Sequence, residues 1–256
     1  MPIKARRFQS VCFFEIAGLL FLSGCAGPQK SAPILATVPS GELRWIGDLP
    51  VLRLRGTSYE MGYQHGTLMR RQVRASVKNL LAFADRQMFL PGLGRVVARR
   101  KLDRAWRQMK PRMPERFLEE MKGLSDGAQV SLRDLQRIHA LPESVGGATL
   151  SNVQKYSTLI IYEPKGQRSF VSIGWLGFIG VLSGVNRQRV SVAATGESFT
   201  ARRVLEESDD PDQAAKIIET VPPETRRRLT VSRMDQKTLE IRSRGRLIPV
   251  DLEDLF

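Results

Sequence analysis

The chain has 256 residues, 42% hydrophobic and 26% charged, enough to bury a core as one large domain or two small ones and too apolar to be disordered. Two cysteines, Cys12 and Cys25, and two histidines, His65 and His139, exclude a multi-cysteine zinc site and a disulfide framework. A formal charge of +14 suits nucleic acid, anionic lipid, an acidic polymer or a solvated surface, without choosing among them.

The first 24 residues read as an export signal. Lys4, Arg6 and Arg7 precede an apolar run over residues 11 to 22, followed by Leu22, Ser23, Gly24 and Cys25. The run is about 12 residues, short of the roughly 20 that a spanning helix needs. This layout resembles a bacterial lipoprotein signal, which implies lipidation of Cys25 and anchorage in a cell-envelope membrane. Glu15 interrupts the run and costs about 2–3 kcal/mol of insertion energy. Without the signal the chain keeps 37 basic and 25 acidic residues, a charge of +12. Outside the cytoplasm this favours anionic headgroups over nucleic acid.

Residues 25 to 42, with Pro28, Pro33 and Pro39, are expected to form a tether, and residues 43 to 256 the folded domain. A short strand is expected over residues 51 to 55. From Gly66, apolar residues at Met69, Val73, Val77 and Leu80 recur at helical spacing. Pro91, Gly92 and Gly94 break that pattern before a very basic helix over 95 to 109. Pro114 opens a helix through Phe117 and Met121 that Gly123 is expected to close, and Ser131 caps another through Leu135 and Ile138. Beyond Pro142 the chain turns β-rich. A hairpin is expected over 157 to 162 and 170 to 175, a strand over 190 to 194, helices from Arg202 and Pro211, and three short strands at the end. The layout is α+β, with a helical part over 57 to 140 and a sheet-rich part over 153 to 256.

Three strings stand out. The first holds Gly56, Glu60, Gly62, His65 and Gly66; its glycines allow close backbone approach, Ser58 can cap the helix that follows, and Glu60 and His65 fall off a common helical face, which favours structural roles over acid/base chemistry. The second holds Glu119, Glu120, Gly123, Ser125 and Gly127. Its adjacent carboxylates point in different directions and read as a surface face. The third, glycine-rich over 174 to 184, lacks the lysine of a P-loop and ends at Asn186, either an oxyanion donor or a turn residue. His139 reads as a helix-end histidine rather than a base.

Taken in order, the strings resemble the isopenicillin N acyltransferase-like family of N-terminal-nucleophile hydrolases over residues 51 to 242. The resemblance implies an αββα sandwich, here incomplete, and amide or acyl-transfer chemistry by a cysteine exposed through self-cleavage. It implies Asn186 as oxyanion donor, and no metal or cofactor. The family cysteine belongs between the second string and the hairpin, yet residues 141 to 156 contain none. The link from Glu197 to Arg202 and the carboxyl end also read as shortened. Ser144 and Thr149 are the fallback hydroxyl nucleophiles, and Ser151 shares their window. The expected protein is therefore an envelope lipoprotein without a competent nucleophile that binds an acylated small molecule or lipid. Its alternatives are an amidase or acyltransferase using Thr149 or Ser144, an envelope structural protein, and a degenerate reading frame.

Overall fold

The computed structural model describes residues 36–87, 94–142, 154–243 and 246–256. Eight strands follow one another across a single sheet: β1 Ala36–Val38, β2 Gly41–Ile46, β3 Leu49–Gly56, β4 Ser157–Pro164, β5 Phe170–Trp175, β6 Ser183–Asn186, β7 Val190–Ala194 and β8 Leu229–Arg233. Neighbours pair antiparallel except β3 and β4, which run parallel with Leu54 opposite Tyr162. A parallel pair requires a crossover. Here, among the described residues, it carries five α-helices: α1 Ser58–Leu68, α2 Arg70–Gln87, α3 Gly94–Met109, α4 Glu115–Ala128 and α5 Leu132–His139. Between β7 and β8 come α6 Ser198–Glu207, α7 Pro211–Ile218 and α8 Pro223–Arg226. A separate hairpin, β9 Thr238–Ser243 with β10 Arg246–Asp251, leads into the last helical turn, α9 Leu252–Leu255.

The period of two along the strands sorts side chains into two cores. Leu52 and Leu54 of β3, Ile160 and Tyr162 of β4 and Val190 and Val192 of β7 join α1 through α7 in the larger one. Val51, Leu159, Ile161, Val171 and Val185 point the other way, against Leu239, Val250, Leu252 and Leu255. The layers are thus helices, an eight-stranded sheet, and a two-stranded hairpin with one helical turn. The α+β class holds.

Several local expectations need correction. The sheet begins at Ala36, inside the stretch expected to be a tether, because Ala36 pairs with Leu43. Residues 43 to 55 make two strands joined by a turn at Gly47, not one. Thr57, not Ser58, caps α1, in a capping box closed by Glu60. Ser131 sits at the N-cap of α5 without a side-chain bond. Helix α4 continues through Gly123 to Ala128. The expected leader and Cys25 lie outside the described residues, among which no helix is long and apolar enough to cross a membrane.

Candidate functional site

The first two strings meet through their glycines. On α1, Gly62 and Gly66 face α4; on α4, Gly123 and Gly127 face α1. A Cβ on Gly62 would lie 1.9 Å from the Glu120 carbonyl oxygen, and one on Gly123 would lie 2.0 Å from that of Tyr59. No side chain fits there, so the backbones touch, and the Tyr59 hydroxyl donates to Asp126 at 2.8 Å across the seam. Arg70 and Arg74 of α2 donate to the Gly127 and Ala128 carbonyls, which would otherwise be orphans at the end of α4.

This seam carries Glu120 inward, which corrects the surface reading of the pair. Glu119 is exposed, whereas Glu120 is fully buried. Its carboxylate accepts two bonds from Arg202 of α6, at 2.9 and 2.5 Å. Arg202 also donates to Glu206 at 2.8 Å and to the Ile179 carbonyl at 2.7 Å, and Arg116 holds the far side of Glu206 at 2.9 Å. The guanidinium lies 4.7 Å from the centre of the Phe117 ring and 4.6 Å from that of Tyr162. Burial disfavours the charge on Arg202, but Glu120 and Glu206 outweigh it and hold its pKa above the ordinary value. Sequence reading missed Arg202 and Glu206. Their signal was an Arg and a Glu four apart on a helix whose neighbours Phe199, Ala201, Val204 and Leu205 are apolar.

Both histidines brace the third string. The Gly177 amide donates to His65 Nε2 at 3.1 Å and the Ile179 amide to His139 Nε2 at 3.0 Å. His139 Nδ1 donates to the Leu135 carbonyl at 2.7 Å, so both rings are neutral acceptors toward the loop. Burial first, then the other histidine and Arg202, drive His65 down to about 3. Burial, partly offset by the Leu135 bond, brings His139 to about 4. Neither is a base aimed at solvent. Glu60, in its capping box, is far in role from His65.

Asn186 is fully buried at the end of β6. Its amide donates to the Leu205 and Ser208 carbonyls at 3.1 and 2.8 Å, and its Oδ1 accepts from the Val190 amide at 2.9 Å. Both amide protons are committed, to Leu205 of α6 and to Ser208 at its C-cap, so the side chain ties sheet to helix and has no proton left for an oxyanion. Ser144, Thr149 and Ser151 lie outside the described residues. Among the described residues no cluster of three or more His, Cys, Asp or Glu side chains could hold a metal ion.

Among the described residues, a cleft of about 420 Å³ opens to solvent between the start of α2, the β2–β3 turn and the segment before β4. Its apolar walls are Trp45, Pro50, Met69, Ala75, Tyr156 and Leu176; Asp48, Arg71, Gln72 and Lys155 supply the polar edge. Met69 and Leu176 connect it to the interior, for the Met69 amide donates to the His65 carbonyl and Leu176 precedes Gly177. Tyr156 is fixed from both sides: its hydroxyl accepts from Asn79 and donates to the Ala75 carbonyl at 3.3 Å, and its carbonyl accepts from the Leu176 amide at 2.9 Å. Lys155 packs over the Tyr156 ring. The lining thus joins apolar side chains to a polar edge that carries both signs of charge.

No family model matches the chain. It is similar to two proteins of Dictyostelium discoideum: protein dcd1B, 26% identical over 62% of this chain and 41% of that one, and protein dcd1A, 22% identical over 70% and 56%. An uncharacterized protein of Archaeoglobus fulgidus is 36% identical over 46% of this chain and 20% of its own. The chain thus spans about half the length of the Dictyostelium relatives that it matches.

Proposed function

We propose that this protein is a lipid-anchored envelope protein on an N-terminal-nucleophile scaffold of the isopenicillin N acyltransferase-like kind, which has lost the catalytic cysteine and binds an acylated small molecule. The observation that carries the reading is the cleft beside Tyr156. Lys155 and Tyr156 close the window of residues 141 to 156, in which the resemblance expects the nucleophile, and that window holds no cysteine. Binding therefore outlives chemistry. The acyl chain lies on Trp45, Met69 and Leu176, and the polar end of the ligand meets Arg71 and Lys155.

The test is displacement of a fluorescent fatty acid by a panel of long-chain N-acyl amides, using full-length protein carrying Cys25→Ser, with product analysis of the same mixtures. Saturable displacement without hydrolysis is expected. Ala75→Trp, which fills the cleft, should abolish it, and Lys155→Glu should weaken binding of carboxylate ligands more than of neutral amides. Hydrolysis lost in Thr149→Ala or Ser144→Ala would replace this reading with a hydroxyl-nucleophile amidase. No saturable binding would remove the cleft from the account. Anchorage is tested separately by palmitate labelling of the native protein, which Cys25→Ser should abolish.

A further inference from the structure

Arginines in several parts of this chain are met by carboxylates inside it: Arg53, Arg55, Arg112, Arg116, Arg168 and Arg203 all reach one. Helix α3 carries a run of cations that are not. Its inward cation, Arg99, pairs with Asp85 and Asp134, and its only acidic residue, Asp103, is taken by Arg133 and Arg137. On the outward side Arg95, Arg100, Lys101, Arg104 and Arg107, with Lys110 just beyond, are exposed, and their side chains make no hydrogen bond or ion pair among the described residues. Arg104 lies three or four residues from Arg100, Lys101 and Arg107, the spacing at which like charges on a helix repel. Among the described residues no carboxylate pairs with these cations, since Asp103 is held by Arg133 and Arg137; an anionic partner would relieve the repulsion.

The apolar residues of the same face narrow the choice of partner. Val96 and Val97 are 45% and 36% exposed, among the few large apolar side chains so open to solvent. Trp106, the helix's aromatic residue, is buried in the core, which leaves no ring on this face for base stacking. Cations beside exposed aliphatic side chains on a helix lying along the surface match the interfacial zone of a bilayer: the valines reach the acyl boundary while the arginines meet headgroup phosphates. We propose that the outer face of α3 is a docking surface for anionic phospholipid. It is separate from the cleft and from lipidation at Cys25, and stands without either.

Flotation of the full chain carrying Cys25→Ser, with vesicles of phosphatidylglycerol and phosphatidylcholine mixed one to one or of phosphatidylcholine alone, tests this. Binding to the mixed vesicles only is expected, weakening as salt rises. Each cation removed should weaken partition about fivefold, so Arg100→Glu with Arg104→Glu should reduce flotation to background. The neutral pair Arg100→Gln with Arg104→Gln, confirmed folded by its melting transition, guards against failure to fold. Val96→Ser with Val97→Ser should lower binding to vesicles while retention on heparin stays unchanged. Three outcomes overturn the proposal: no flotation, flotation indifferent to the α3 charges, or vesicle binding that survives valine replacement and merely parallels heparin retention.

Discussion

Arg202 is the residue on which the interior is balanced. A guanidinium removed from water is tolerable only when its donors and charge are met. Arg202 achieves this with Glu120, Glu206 and the Ile179 carbonyl, linking α4, α6 and the loop after β5. Removing one partner is worse than removing both. Glu120→Leu leaves a buried cation half compensated and should lower unfolding free energy by about 3–5 kcal/mol in urea titrations. Glu120→Leu combined with Arg202→Met should cost less than the single change, because Glu206 still has Arg116. Equal or additive losses would show that the pair acts through shape rather than charge. The sequence marked Glu120 yet placed it outside, since an adjacent pair of glutamates on a helix carries no sign of a partner 82 residues away. Asn186 was legible as a singular residue for the same reason that its role was not: polarity at the end of an apolar run announces a constraint without naming its partner.

At the level of elements the glycines were legible and their consequence was only half so. Reading Gly62 and Gly66 as permitting close approach agrees with the seam between α1 and α4, but Gly123 reads in sequence as a helix stop because a glycine's backbone freedom and its lack of bulk look identical there. Geometry separates the two uses. A Cβ on Gly123 would meet the Tyr59 carbonyl carbon as well as its oxygen, and backbone cannot step aside as a flexible side chain can. Gly123→Ala should therefore force the helices apart and cost about 1–3 kcal/mol or more by overpacking. Gly166 offers the contrast. It has φ +78° and open space around its Cβ position, so Gly166→Ala should cost about 1–2 kcal/mol, from backbone strain alone. Parallel thermal melts of the two variants distinguish crowding from strain. Strand-rich segments with clear turns, such as β4 and β5 around Gly166, were read closely. Strand β6 was not, because its four residues, Ser183–Asn186, become a strand only by pairing with β5 and β7.

For the molecule as a whole, the two histidines make acid the solvent condition to which this fold is most exposed. They join the helical layer to the loop between β5 and β6, accepting the Gly177 and Ile179 amides with Nε2 atoms that must be unprotonated. In the folded protein their pKa values are about 3 and about 4, whereas the ordinary value is 6.5. Between pH 6.5 and about 4 the unfolded chain therefore binds protons that the native state refuses, and stability must fall as pH falls. The slope approaches about 2.7 kcal/mol per pH unit when both rings are charged only in the unfolded state. Above pH 7 these residues contribute no further gradient. Urea midpoints measured from pH 8 down to pH 4.5 should hold steady at first and then drop. His139→Gln should flatten about half of that drop, because an amide can still accept from Ile179 but no longer titrates. A pH profile unchanged by His139→Gln and His65→Gln together would mean that acid acts elsewhere, with Glu120, whose pKa burial raises, the first to examine.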